Sequence, residues 1–353
     1  MNVVFTLCSA NYLAHAKTLG DSVREHNPDA HFVIGLVDRM PKELEPSYLQ
    51  SFEVVPVEDL QLPQFGEMAQ KYNIVELNTA VKPFYMAFLF ERDPRVDAVI
   101  YLDPDIMVCG SFNALLDKLK TCSIVITPHS CTYDDSAANI YFEKAMLSFG
   151  VYNLGFIASR RSSEASAFLK WWKIRLQDHC YYRPGIPGSF FDQLWIGLAP
   201  LYFRGVFVET NPGYNMCFWN HFERHLSVRN GKYLVNGRHD LVFFHFSGYR
   251  PENPEASVSR PKEPVPAPSF MERPDLRSIY DDYRSRLLAR DYASIKSLPW
   301  HFAPPSVPER VRNFKNVFKG AVKRSVDLLP LGAKTRLRRL AQFVARNSSC
   351  FLA

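Results

Sequence analysis

The stretch Val99–Val108, VIYLDPDIMV, interrupts a run of apolar residues with two carboxylates. The residues on either side suit a buried strand, whereas Asp103 and Asp105 do not. Burying a charged carboxylate is costly unless it is paired or binds a metal. Two carboxylates one residue apart at a strand end are suitable hard ligands for Mg²⁺ or Mn²⁺. The alternative is a solvated turn in which Pro104 fixes the backbone.

The segments around this stretch predict an α/β fold. Apolar runs at 2–9, 31–38, 52–60 and 123–129 are typical of strands, and residues 11–28 and 79–94 have helical spacing. Such alternation indicates a mostly parallel sheet with helices on both faces. Ligands of these sheets bind beyond the carboxyl ends of the strands. Polar residues occur at those predicted ends: Thr6 and Ser9 in the stretch 6–9, Asp38, Asp103, Asp105 and His129.

The second half of the chain continues the pattern and then changes. Residues 152–161 predict a strand that contains Gly155, residues 163–180 an amphipathic helix, and residues 240–248 a buried strand that ends at His245. Residues 251–308 hold eleven of the 25 prolines and one helical stretch. We therefore expect three segments: a body at 1–250, a Pro-rich extension at 251–308 and a basic tail at 309–353.

The charge of the chain is concentrated in that tail. Residues 309–353 carry eleven Lys/Arg and two Asp/Glu, a net charge of +9 in a chain of +6, so residues 1–308 carry −3. A body with this charge is not expected to bind nucleic acid. The seven cysteines show no C-x-x-C spacing, which argues against a zinc site and for reduced thiols. No secretory signal and no membrane span are expected, so the predicted location is cytoplasmic.

Four motifs in order, IYLDPDIMV, VYNLGFIAS, FFDQ and HFSG, resemble the retaining glycosyltransferases of family 8. The resemblance covers about residues 1–250 and implies a GT-A fold, a nucleotide-sugar donor such as a UDP-hexose, and Mn²⁺ or Mg²⁺ as cofactor. It further implies that Asp103, Asp105 and His245 hold the metal on the donor diphosphate. The other interpretation of His245 is a core histidine in an aromatic strand.

The resemblance also assigns donor-binding residues. It implies that Asn11 and Tyr12 contact the base and ribose, with Thr6 or Ser9 replacing an Asp that the family often has. It implies further donor contacts from Lys82, Asn153 and Gly155. Asp192 and Gln193 are expected to contact the sugar and act in catalysis, and Gly248 and Arg250 to contact the phosphates. The alternatives are a helix-surface lysine at 82, a β-bulge at 155 and a helix-capping aspartate at 192.

The acceptor and the tail are predicted more generally. The resemblance implies that His129, Tyr133, Asp134 and Asp135 help to shape an acceptor pocket for a glycan or lipid-linked glycan, as in lipopolysaccharide or polysaccharide synthesis. Residues 309–329 form a basic amphipathic pattern, which predicts peripheral binding to an anionic membrane surface. The alternative is a helix that docks on the body.

Two other functions remain open at this point. One is a phosphatase or another phosphoryl-transfer enzyme of the haloacid-dehalogenase type, which also has a D-x-D motif after an apolar strand. The other is a degenerate GT-A module that binds glycan without turnover.

Overall fold

The computed structural model describes residues 1–133, 135–183, 188–258 and 269–302. Apart from Arg183, these residues belong to one unit, Met1–Tyr182 with Gly188–Ala303. The second unit, Arg183–Pro187 with Pro304–Ala353, otherwise lies outside the described residues, and so does the predicted membrane-binding tail. None of the helices among the described residues is long and apolar enough to cross a membrane.

A seven-stranded sheet forms the centre of the protein. Its order is β3-β2-β1-β4-β7-β6-β8, and every strand except β7 runs in the same direction. The strands are β1 (Asn2–Cys8), β2 (His31–Leu36), β3 (Glu53–Pro56), β4 (Ala98–Leu102), β6 (Ile124–Pro128), β7 (Tyr152–Arg160) and β8 (Val206–Val208). The remaining strands lie outside this sheet: β5 (Ile106–Val108), β9 (Leu226–Arg229), β10 (Lys232–Val235), β11 (His239–Asp240) and β12 (Phe243–His245).

Helices cover both faces of the sheet, so its inner strands are apolar on both sides. Along β1, Val4 and Cys8 join one buried cluster, whereas Val3 and Phe5 join the cluster on the opposite face. The helices are α1 (Leu13–His26), α2 (Phe65–Lys71), α3 (Ile74–Ala80), α4 (Lys82–Arg92), α5 (Asn113–Leu119), α6 (Ala137–Phe149), α7 (Ser163–His179), α8 (Gln193–Ile196), α9 (Ala199–Tyr202), α10 (Arg277–Leu288) and α11 (Tyr292–Lys296). The predicted α/β fold class, a mostly parallel sheet flanked by helices, is confirmed.

The stretch around the two carboxylates differs from the prediction in one respect. It forms two strands rather than one, because the chain turns between Leu102 and Ile106. The first strand, β4, stays in the central sheet, and the second, β5, pairs in antiparallel fashion with β12. The turn therefore projects Asp103 and Asp105 from the sheet at the point where β12 ends.

The helical stretch predicted between residues 275 and 295 is also divided in two. Asp291 adopts a left-handed conformation (φ 53°), which separates α10 from α11. Both helices lie against α1, and ion pairs join Arg286 to Glu25 and Arg290 to Asp21. The ring of Tyr283 in α10 stacks in parallel on Phe246 just after β12, with ring centroids 3.8 Å apart. Helix α10 therefore packs on the segment that carries His245.

Candidate active site

Two carboxylates and one imidazole converge at the end of β4. The Asp103 N–H donates to the Gly155 carbonyl in β7 (2.8 Å), which fixes the start of the turn. His245 reaches the turn because β12 pairs with β5 in a register that sets it opposite Ile106. Its Nε2 lies 3.2 Å from an Asp105 oxygen and 3.8 Å from an Asp103 oxygen. One ligand atom from each of the three residues lies within 4.8 Å of the other two.

This donor set fits a divalent cation. The His245 side chain is 3% exposed, and those of Asp103 and Asp105 are 31% and 23% exposed, so the cluster is open on its carboxylate side. The Tyr101 hydroxyl donates to one Asp103 oxygen (2.6 Å), and the other oxygen faces the imidazole. Two hard carboxylates with one imidazole nitrogen suit Mn²⁺ better than Mg²⁺. His245 is thus buried, but its Nε2 faces two acids rather than apolar core.

Gly155 provides the space that His245 occupies. A Cβ atom at position 155 would lie 2.5 Å from Cε1 and 2.8 Å from Nδ1 of the His245 ring. The pairing between β6 and β7 also shifts register between Ile126 and Thr127, so Gly155 lies where the regular pairing is interrupted. The group that approaches this glycine closely is the imidazole, and its predicted place beside the donor sugar stays a prediction.

Lys82 and Asp192 form a buried ion pair beside the cluster. Both side chains are 3% exposed, and Lys82 Nζ donates to Asp192 Oδ2 (2.7 Å) and to the Leu154 carbonyl (2.8 Å). The same ammonium lies 4.4 Å from the ring centre of Tyr101, whose hydroxyl binds Asp103. Burial raises the pKa of the Asp192 carboxyl, and Lys82 opposes that shift.

The alternative interpretation of Lys82 is wrong, and that of Asp192 holds only for its N-cap position before α8. Lys82 is not a helix-surface lysine, because it points inward from the start of α4. Asp192 precedes α8, but its side chain makes no capping hydrogen bond and binds Lys82 instead.

A chain of three side-chain amides, Asn215, Asn153 and Gln193, extends from His245. The Asn215 amide lies 3.2 Å from His245 Nδ1, and Asn215 Nδ2 donates to Asn153 Oδ1 (3.0 Å). Asn153 Nδ2 donates in turn to Gln193 Oε1 (3.2 Å), and Gln193 Nε2 donates to the Phe149 carbonyl (3.1 Å). Sequence reasoning selected Asn153 and Gln193 but missed Asn215. The residues around Asn215 carry no motif, so only tertiary structure identifies it.

The predicted base and ribose residues lie at the carboxyl end of β1. Tyr12 is 43% exposed and stacks on His15, with ring centroids 4.3 Å apart. Thr6 is fully buried within the sheet. Among the described residues, Thr6 Oγ1 and Asn11 Oδ1 have no hydrogen-bond partner. Tyr12 therefore offers an accessible ring, whereas the Thr6 hydroxyl lies below the surface.

Ser9 and Asp38 at the same edge are held by protein groups. The Ser9 hydroxyl accepts a hydrogen bond from Asn78 Nδ2 (2.7 Å) and lies 3.4 Å from the Val37 carbonyl. The fully buried Asp38 accepts hydrogen bonds from the backbone N–H groups of Ala10 and His301 (3.1 and 3.0 Å). Asp38 thus fastens the turn after β1 to the segment after α11.

Gly248 and Arg250 follow β12 and His245. Gly248 has a φ of 77°, a left-handed conformation that favours glycine, and it is half-buried. Arg250 is exposed. A role for either residue in binding phosphate stays a prediction.

The predicted acceptor residues are divided between interior and surface. His129 is 4% exposed, burial lowers its pKa to about 3, and its Nε2 lies 3.3 Å from Asn153 Nδ2. Tyr133 is 82% exposed and Asp135 is exposed, whereas Asp134 lies outside the described residues. A neutral His129 thus supports Asn153 from within, and Tyr133 is accessible to a large ligand.

Comparisons with known proteins give distant relatives and similar folds. No family model matches the chain. It is 25% identical over 251 residues to YfnF of Bacillus subtilis, an uncharacterized protein. The matched region covers 69% of this chain and 80% of YfnF. The glycosyltransferase GlyE of Streptococcus pneumoniae superposes with a TM-score of 0.47 at 15% identity, over 85% of this chain and 65% of GlyE.

A second solved structure, the galactosyltransferase LgtC, superposes with a TM-score of 0.44 at 15% identity, over 85% of this chain and 98% of LgtC. Both solved proteins are glycosyltransferases, the class that the four sequence motifs resemble.

Proposed function

We propose that the protein is a metal-dependent retaining glycosyltransferase that transfers a hexose from a UDP-hexose to a cell-surface polysaccharide or lipopolysaccharide precursor. The observation that carries this proposal is the convergence of Asp103, Asp105 and His245 at the end of β4. Their position after the end of a strand is where ligands bind in this class of sheet. The motif resemblance supplies the donor class and the retention of configuration.

Side chains at the end of β4 and β12 would bind the cation. Asp103, Asp105 and His245 would hold the cation, with Tyr101 fixing Asp103. When bound, the cation would offset the negative charge on the leaving nucleotide. The open carboxylate side of the cluster leaves room for the donor diphosphate.

The neighbouring residues would bind the donor sugar. The Asp192 carboxylate has lone pairs that accept hydrogen bonds from sugar hydroxyls, and Lys82 holds it in place. Gln193 is held through both its amide oxygen and its amide nitrogen. An amide is a poor nucleophile, so a covalent glycosyl intermediate would require a carboxylate at this position. We therefore propose that Gln193 acts through position and polarity, and that the acceptor hydroxyl attacks the anomeric carbon from the same face that the nucleotide diphosphate leaves. The new glycosidic bond forms as the bond to the diphosphate breaks, the hydroxyl proton passes to the departing phosphate oxygen, and the configuration is retained.

A thermal-shift panel of UDP-, GDP- and CDP-hexoses, each with and without Mn²⁺, tests this function. A ligand that binds only the native state raises its stability by mass action, by about 2.7 kcal/mol at 100 times Kd. We expect a Mn²⁺-dependent shift with one UDP-hexose. A Mn²⁺-dependent thermal shift with a GDP- or CDP-hexose instead would change only the proposed identity of the donor's base. No shift with any donor, or metal-dependent phosphatase activity that Asp103→Asn abolishes, would contradict the proposal.

We further propose that residues 309–353 hold the enzyme on the inner face of the plasma membrane. The tail has a net charge of +9, and each Lys or Arg near an anionic surface contributes about 1 kcal/mol. Removal of residues 309–353 is expected to abolish sedimentation with anionic vesicles while preserving the Mn²⁺-dependent donor shift. A truncated protein that still sediments with the vesicles would refute this role for the tail.

A further inference from the structure

Asn215 lies beneath the proposed metal site, in the segment between β8 and β9. It is fully buried and has a left-handed backbone conformation (φ 55°), which asparagine adopts more readily than most residues. The Asn220 side chain holds the Asn215 carbonyl (3.0 Å), and the next residue, Met216, accepts a hydrogen bond from the His245 N–H (2.8 Å). The backbone on both sides of the Asn215–His245 contact is therefore fixed.

The orientation of the Asn215 amide follows from a backbone group that can only donate. The Gly155 N–H donates to one end of the Asn153 amide (3.0 Å), which must therefore be the oxygen. That same oxygen faces one end of the Asn215 amide at 3.0 Å, which must therefore be the nitrogen. The nitrogen uses its second proton on the Thr127 hydroxyl (3.0 Å). The Asn215 oxygen is left facing His245 Nδ1.

This orientation determines which ring nitrogen of His245 carries the proton. Asn215 Oδ1 can only accept, so the nitrogen at 3.2 Å, Nδ1, donates its proton. When a cation is held between the imidazole and the two carboxylates, the ring is neutral and its lone pair is on Nε2, the atom that faces Asp103 and Asp105. A flipped Asn215 amide would set its oxygen against the Asn153 oxygen and lose these hydrogen bonds.

We propose that Asn215 is a positioning residue that holds His245 with its proton on Nδ1 and presents the Nε2 lone pair as a metal ligand. The proposal rests on the metal site in the proposed function and adds a residue to it. Groups that orient a metal-binding histidine in this way typically contribute 10- to 100-fold to metal affinity. The link through Asn153 to Gln193 means that the same amide chain also fixes the group expected beside the donor sugar.

Mn²⁺ affinity, measured from the electron paramagnetic resonance signal of free Mn²⁺, tests this role without relying on turnover. Asn215→Leu removes the acceptor and fills the space, and we expect it to weaken Mn²⁺ binding by about 10- to 100-fold. Asn215→Asp keeps an acceptor for Nδ1–H and suits the left-handed backbone, so it is expected to bind Mn²⁺ at least as tightly as the wild type. Both variants lose the hydrogen bonds that Asn215 donates, so the loss of those bonds cannot account for a difference in Mn²⁺ affinity between them.

Asn215→Gly serves as a second deletion, because glycine tolerates this backbone conformation where leucine is strained. Its Mn²⁺ affinity is expected to fall in the same direction, and thermal denaturation of each variant reports whether it is folded. If a folded Leu or Gly variant binds Mn²⁺ as tightly as the wild type, or if the Asp variant loses as much Mn²⁺ affinity as they do, the role of Asn215 is overturned. The proposed metal site is not affected by that result. Failure of the wild type itself to bind Mn²⁺ would overturn the proposed metal site and this inference with it.

Discussion

Replacing Asp105 with Ala is expected to lower sugar transfer by about 100-fold or more while the protein remains folded. Asp105 supplies one of the three ligand atoms of the cluster. Loss of about 3 kcal/mol of charge stabilisation at the leaving group corresponds to roughly a 100-fold lower rate. The fold should tolerate the change, because the variant relieves the repulsion between two adjacent carboxylates. Transfer is measured with the donor and Mn²⁺ at saturating concentrations.

Asp117→Ala is the matched control for this variant. Asp117 lies on α5 with its side chain 70% exposed, and its ion pair with Lys120 is also at the surface. This control removes the same charge from the protein without touching the cluster, so its transfer rate should equal that of the wild type. Near-normal transfer by a folded Asp105→Ala protein would rule out the proposed ligand role.

Much of the fold could be predicted from the sequence, because strands buried on both faces form continuous apolar runs. The same property hid the break between β4 and β5. Both strands are fully buried, so the run of apolar residues continues on either side of Asp103 and Asp105. The apolar pattern alone does not show whether such a run leaves the sheet at Asp103 and Asp105. The pairing of β5 with β12 in the structure shows that it does.

The small sheet of β9, β10 and β11 was missed although the sequence contains a signal for it. Asn230-Gly231 separates β9 from β10, and both residues have positive φ angles, as a two-residue hairpin turn of this kind requires. Asn236-Gly237, between β10 and β11, has the same pair of conformations. These Asn-Gly pairs could have predicted the hairpins from sequence.

The contacts within the candidate site could not be predicted in the same way. Asn215 is 62 residues from Asn153 and 30 from His245, and Lys82 is 110 residues from Asp192. No local pattern encodes such pairs, since the order of the strands in the sheet brings distant segments together. Motif resemblance identified individual residues, but it contained no indication that Lys82 and Asp192 are partners.

That partnership leads to a second large expected effect, on stability. Asp192→Ala would remove the carboxylate that pairs with the buried Lys82 ammonium, which would keep the Leu154 carbonyl, the face of Tyr101 and the electrostatic attraction of Asp103. Breaking a buried ion pair by removing one partner typically costs about 3–5 kcal/mol. We expect a decrease of this size in the free energy of unfolding, measured by urea denaturation at 25 °C. The exposed Asp117→Ala control is expected to change it by less than about 0.5 kcal/mol.

The double variant Lys82→Met/Asp192→Ala separates the structural from the functional part of this effect. It removes both buried charges, so it should regain much of the stability lost in Asp192→Ala. If Asp192 binds the donor sugar, the double variant will be folded and still transfer sugar slowly, because the sugar-binding carboxylate is absent. Asp192→Ala within 1 kcal/mol of the wild type would contradict the ion-pair argument. Normal transfer by the double variant would instead show that the pair serves folding alone.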